Sequence, residues 1–262
     1  MKRYLRVYRT LLRLNLESVI VYPANFYNSL LASVAWGFFS LYSIVLLTHR
    51  TTGAFGWTRE QLLLLNGVYG IIIGMFHVVF SRNFSRFAGV IHSGQLDSVL
   101  VKPIDAQFLL SFWLFGWVNL SRVIISAGYV AIVLGTLGVE VAMVDVLWFL
   151  ILGFFATLLL YSLWFIVITL TIWFTRLSNL VELMFNITGI ARYPRNMFTQ
   201  AAGVGAWVLL PLLLIINIPT RVYLHNLHIG EILLLFFLAF GVFIISRKFW
   251  IFALSHYSSA SS

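Results

Sequence analysis

Apolar stretches long enough to cross a bilayer alternate with short polar breaks along most of the chain, and the basic residues gather at the ends of those stretches. A hydrocarbon layer of about 30 Å needs about 20 apolar helical residues. The first stretch that qualifies runs from Phe26 to Leu47, with Pro23 where a helix start tolerates it. The second runs from Leu62 to Phe80 and follows Thr58-Arg59-Glu60-Gln61, the pattern of a capping box. Within it Gly70 and Gly74 form a small-xxx-small pair that lets another helix approach closely. Ahead of both, Lys2, Arg6, Arg9 and Arg13 recur at helical spacing, with Tyr4, Leu5, Tyr8, Leu11 and Leu12 on the opposite face. Residues 1–18 therefore predict either an interfacial helix, its basic side toward headgroups or a cytoplasmic partner, or a charged leader that merely orients the first span.

The longest polar interruption, residues 81–105, follows two crossings and is placed in the cytoplasm by Arg82, Arg86 and Lys102. Within it Gly94 permits a tight turn, Pro103 ends the preceding helix, and Asp105 caps the one that starts at Ala106. Ala106 to Leu137 is nearly all apolar, yet as one helix it would reach about 48 Å. The pattern predicts a split into an interfacial helix before Val118 and a third span ending near Leu137. Arg122 marks the break, because a guanidinium at the bilayer centre costs at least about 2.5 kcal/mol and reaches instead for a headgroup or a wet cavity. Leu147 to Phe174 makes the fourth span, and Gly230 to Ser246 the last, closed by Arg247-Lys248.

Between those two, hydropathy leaves the fifth crossing open. In one threading Leu177 to Tyr193 crosses and Asn196 to Ile218, interrupted by Pro211, folds back from the outside; in the other the second stretch crosses and the Glu182 segment lies on the cytoplasmic surface. The positive-inside rule favours the second through Arg192 and Arg195. Arg176, Asn179, Glu182 and Asn186 form one polar seam at helical spacing, with Glu182 either lining a path or paired with Arg176 or Arg122.

Composition agrees with a polytopic helical protein: 61% of residues are hydrophobic, 10% are charged, and the mean hydropathy is +0.97. The formal charge of +9 sits at span ends and forms no exposed stripe, so topology explains it better than nucleic acid does. There is no cysteine, hence no thiolate metal site or thiol nucleophile. The only lysines are Lys2, Lys102 and Lys248, none of them after a glycine, which excludes a P-loop on this chain. His225, His228 and Glu231 resemble a metal pattern but read as interfacial polar residues, and His77 inside the second span as bonded to a neighbouring helix. No nucleophile and base pair suggests a catalytic site.

Along essentially its whole length the chain resembles the type-2 ABC transporter permeases, in particular a bacterial subfamily of about six spans. The resemblance is carried by Gly56-Trp57-Thr58 with Glu60, by Ile91, Gly94, Leu96, Asp97, Leu100, Lys102 and Pro103 with Asp105, and by Tyr161-Ser162-Leu163-Trp164. It continues in Trp173-Phe174 with Arg176, Asn179, Leu180, Glu182 and Leu183, in Ala191-Arg192-Tyr193-Pro194, in Pro211 and Pro219, and in the tail from Tyr257. It implies an all-α integral membrane fold of about six spans, with the interfacial helix at residues 1–18 and a re-entrant segment, residues 195–220, before the last span; this favours the first threading. It also implies a bacterial inner-membrane protein with both termini in the cytoplasm, paired with a second permease, identical or related, and with cytoplasmic ABC ATPases that hold the ATP and Mg. In the family, the region between the second and third spans docks on the ATPase. Here that region runs from Phe84 to Asp105 and includes Arg86. The implied activity is export of an amphiphile such as a lipid, glycolipid, peptide or drug. The competing class is a membrane scaffold or sensor that merely recruits an ATPase.

Overall fold

The computed structural model describes residues 2–21, 23–48, 53–54, 56–174, 179–201 and 205–257. Nearly all of them are helical, in the order α1 (Lys2–Val21), α2 (Pro23–Thr48), α3 (Arg59–Phe76), α4 (Arg82–His92), α5 (Gln95–Leu100), α6 (Ala106–Phe112), α7 (Asn119–Leu137), α8 (Met143–Thr169), α9 (Leu180–Thr188), α10 (Arg195–Ala201), α11 (Gly205–Tyr223) and α12 (Ile229–Ser255). A two-residue hairpin, Gly53–Ala54 against Trp57–Thr58, leads into α3. Among the described residues five helices are long and apolar enough to cross a membrane: Phe26–Leu46, Arg59–His92, Asn119–Leu137, Met143–Ile172 and Ile229–Ser255. Leu210–Tyr223 is a shorter apolar helix.

Lipid is as apolar as leucine, so burial alone does not hold such helices together; close packing does. Gly70 and Gly74 do what their spacing predicts. A Cβ on Gly70 would stand 2.2 Å from Ser126 Oγ and one on Gly74 2.8 Å from Val123 Cγ2, so α7 lies directly on α3. The capping box is formed, Gln61 N donating to Thr58 Oγ1 and Thr58 N to Gln61 Oε1. The centre of the bundle is filled by Leu64, Leu65 and Val68 of α3, Leu152, Leu159 and Leu160 of α8, Leu213 and Ile215 of α11, and Leu235 of α12, none of them measurably exposed.

The second span outlasts its apolar stretch. After a wide π turn at His77–Ser81 the helix continues to His92, giving 34 residues in all. A row of aromatic rings explains the extension: Phe76 and Phe84 pack on Trp164, and Phe87 on Trp250, with centroids 5.0, 6.0 and 5.9 Å apart. Each such contact contributes about 0.5–1.5 kcal/mol beyond burial. The same rings carry α12 past Arg247-Lys248, since Trp250 and Ala253 are buried. Helix α1 is equally a surprise in its packing. Its tyrosines meet protein, Tyr4 lying 5.1 Å from Phe108 and Tyr8 5.8 Å from Phe112.

The two ends of the bundle differ in chemistry. At one end Arg221 Nη1 donates to both oxygens of Glu231 at 2.7 and 2.9 Å, and His225 Nδ1 lies 3.9 Å from Asp145. Arg195, at the start of α10, reaches the same Glu231 at 4.0 Å. At the opposite, basic end stand Gly94, Asp105 and Arg247.

Candidate functional site at the basic end

The chain between α3 and α7 builds a compact outgrowth. Gly94 adopts φ +69°, the left-handed conformation its sequence position called for, and α5 starts directly after it. Leu96 and Val99 of α5 turn inward to the core that also holds Phe87, Val90 and Ile91. Leu100 and Val101 point away, 38% and 83% exposed. Arg86 donates to Gln95 at 3.4 Å, and both Arg86 and Lys102 lie over the ring of Trp113, at 5.5 and 4.5 Å. Asp97 lies in the first turn of α5 and Pro103 is exposed in the turn after it.

Asp105 caps α6, accepting from Phe108 N at 2.9 Å. Its carboxylate also pairs with both guanidinium nitrogens of Arg247. Arg247 donates in turn to Gln107 Oε1 at 3.0 Å, Gln107 to Tyr161 Oη at 3.0 Å, and Ser111 shares that phenol at 2.9 Å. The Asp105 amide donates to Tyr4 Oη at 3.3 Å. One network thus ties α1, α6, α8 and α12 together. It also floors an apolar furrow of about 810 Å³ that runs between α3 and α8, lined by Ile72, Met75, Phe80, Gly153 and Thr157 among others.

The break between α6 and α7 falls at residues 113–118, earlier than Arg122, and two asparagines hold it open. Asn83 donates to Leu114 O and accepts from Leu114 N, both at 2.8 Å. Asn15 of α1 does the same one residue to either side, donating to Trp113 O at 3.0 Å and accepting from Phe115 N at 3.2 Å. Arg82 adds a bond to Phe115 O at 3.3 Å, and Gly116 N donates at 2.7 Å to Val78 O in the π turn. Buried peptide groups outside a helix require such partners. Neither asparagine, nor Gly116 and Val101, was singled out by sequence reasoning, and Arg247 entered it only as the close of the last span. The available signal was an isolated Asn on an otherwise apolar face.

The polar seam is only partly brought together. Asn179, Glu182 and Asn186 lie along α9 and its cap and are exposed, while Arg176 lies outside the described residues. Glu182 makes no ion pair with Arg122 among the described residues. Arg122 turns instead to Tyr69 of α3, its guanidinium 5.9 Å from the ring centroid, and Arg192, in the turn after α9, lies 5.6 Å from the same ring. Arg122 lies in the first turn of α7 and Arg192 beyond the end of α9, and for each the aromatic face contributes about 0.5–2 kcal/mol. His77, on the α3 side of this region, packs at 5.3 Å on Phe185, and Trp164 Nε1 donates to Thr188 at 3.0 Å, which fixes α9 to the bundle.

Apolar helices of spanning length packed around one another, with a structured outgrowth at one end, define a multi-pass membrane protein. A family model described as ABC-2 family transporter protein matches residues 31–261, and the chain belongs to that family. Its members are the membrane components of transporters and in general pair with ABC ATPases. No curated protein and no solved structure matches the chain.

Proposed function

We propose that the chain is the permease subunit of an ATP-driven exporter in the bacterial inner membrane, moving an amphiphile with a second permease chain and with cytoplasmic ABC ATPases that bind the ATP and Mg. The reading rests on the outgrowth at the basic end. Helices α4 and α5 are packed through Phe87, Val90, Leu96 and Val99, yet present Leu100 and Val101 to the surface. An exposed apolar tip on a stiff base suits docking to a partner, because a loose one would absorb the partner's motion before it reached the spans. On this reading the basic end and both termini are cytoplasmic.

Six crossings then follow if α9 and the turn to Arg192 make the fifth, with α10 and α11 dipping in from the far side. The support is that Arg195 before this segment and Arg221 near its end both approach Glu231, so the segment starts and finishes at one place.

The test is co-purification of the chain with the ATPase encoded beside it, followed by hydrolysis assays in lipid nanodiscs. Val101→Asp and Leu100→Asp should each lower co-purification or permease-dependent ATPase activity about tenfold, equivalent to about 1.4 kcal/mol of lost docking, with the unfolding temperature unchanged. A chain that never associates with an ATPase, or hydrolysis untouched by both variants, overturns the reading.

A further inference from the structure

Two arginines, Arg122 and Arg192, gather on the ring of Tyr69. The other ion pairs join a basic residue to a carboxylate: Arg13 to Glu17, Arg195 and Arg221 to Glu231, Arg247 to Asp105. Arg122 and Arg192 have no carboxylate within 4.0 Å among the described residues, and both guanidinium groups lie within 6 Å of the Tyr69 ring centroid, at 5.9 and 5.6 Å. What surrounds them is neutral. Tyr69 is buried, and Arg122 lines a small recess of about 20 Å³ with Ser33, Asn66 and Ser126. Arg192 spends its Nε on Gly189 O at 2.9 Å, which leaves its terminal nitrogens free of that bond and fixes where they stand. Both residues are half-buried and keep part of their surface open.

We propose that Arg122 and Arg192 form an anion-binding site for the phosphorylated headgroup of an amphiphile. Guanidinium groups present paired N–H donors that match phosphate oxygens, and a dianionic group would neutralise both cations at once. Removal from water strengthens that attraction, so a site which is unfavourable when empty becomes selective when filled. A carboxylate supplied by a second copy is the competing counter-ion, Glu182 being the exposed acid on α9. It is disfavoured by depth: ten residues separate Glu182 from Arg192, about 15 Å along a helix, and a twofold axis normal to the membrane leaves depth unchanged.

The inference deepens the permease reading by naming a class of cargo, but the binding itself is measured without the ATPase. The full chain, purified in a neutral maltoside detergent, is titrated with radiolabelled 1-oleoyl lysophosphatidic acid and with monoolein, which has the same acyl chain and no phosphate. The phosphorylated probe should bind at least tenfold more tightly. Arg122→Gln and Arg192→Gln should each weaken it about 10- to 100-fold, the worth of a charged hydrogen-bonded contact. Arg122→Lys and Arg192→Lys, which keep the charge and lose the fork, should fall between, and an unchanged unfolding temperature in the lysine variants separates lost binding from lost folding. Arg3→Gln, exposed on α1 and off its headgroup-facing side, should leave affinity unchanged. Equal binding of the two probes, wild-type affinity in both glutamine variants, or loss of binding in the α1 variant overturns the site. So does tighter binding in Glu182→Gln, which would make that carboxylate the resident counter-ion. With the ATPase present, stimulation by the phosphorylated probe identifies it as cargo-like, and binding without stimulation identifies a resident lipid headgroup; the site stands in both cases. If instead the Val101→Asp test fails while binding holds, the permease reading falls and the anion site survives.

Discussion

Replacing Asn83 by alanine removes the side chain that both donates to and accepts from the Leu114 peptide unit, at 2.8 Å each way. Asn83 is 4% exposed, so water does not readily take its place. A buried peptide group left without a partner costs about 1–3 kcal/mol, and two are left, so the loss is about 2–6 kcal/mol. For a chain of this size about 1 kcal/mol corresponds to about 2–4 °C in unfolding temperature. Thermal unfolding of the purified protein in detergent, followed by tryptophan fluorescence, should therefore fall by at least about 4 °C. Asn83→Asp keeps the acceptor for Leu114 N and loses the donor, and should land between wild type and Asn83→Ala. Asn15→Ala acts on the neighbouring peptides of the same break, so in the double variant the two losses should depart from additivity by about 0.5–3 kcal/mol. A shift below about 1 °C in Asn83→Ala, or strict additivity with Asn15→Ala, would refute the view that the asparagines jointly hold the break open.

Asp105→Asn keeps the cap on α6 and loses the pairing with Arg247, whereas Asp105→Ala loses both; the alanine variant should be less stable than the asparagine variant by about 1 kcal/mol in the same thermal assay. Gly70→Val should destabilise strongly, because its Cβ already stands 2.2 Å from Ser126 Oγ, and Ser126→Gly in the same chain should restore part of the loss. Gly116→Ala would place a Cβ 2.6 Å from Asn119 Nδ2 and 3.0 Å from the His77 carbonyl, and should lower both the unfolding temperature and the ATPase activity of the assembled complex while leaving co-purification intact.

Hydropathy located the five described helices of spanning length but left the segment between α8 and α12 open, and local chemistry located turns. Gly94 in the left-handed region, Asp105 as a cap and the capping box at Thr58 were legible because each is decided by neighbours in sequence, and the split before α7 because the apolar run is too long for one span. The continuation of α3 to His92 was not. It depends on aromatic rings from α8 and α12 that hydropathy cannot place beside Phe84 and Phe87. Arg122 was legible as anomalous from the cost of burying its charge, but its contact with Tyr69 of α3 was not, because hydropathy cannot place that ring beside it. Asn15 and Asn83 were invisible for the opposite reason. Each looks like a tolerated polar residue until the peptide units 98 and 31 residues further along arrive beside it.

The two interruptions in the bundle lie side by side, and that adjacency bears on how a push at α5 would travel. The π turn of the second span and the break before α7 are stitched together by Gly116 N to Val78 O and by Asn83 to Leu114. Below the stitches, α4, α5, α6 and the end of α12 form one body, tied by the aromatic row, by Arg247 to Asp105 and by Leu96 in the core. Above them, α3 and α7 form another, locked by Gly70 and Gly74. A wide turn and a helix break are the places where a helical bundle bends at low cost. Load applied at Val101 therefore reaches α3 and α7 at a single depth, next to the π turn from which His77 faces α9, and not far from the arginines on Tyr69. The physical route from the exposed tip at Val101 to the arginines on Tyr69 runs through hydrogen bonds and ring contacts, and its side-chain links, such as Asn83 to Leu114, are ones that a substitution removes.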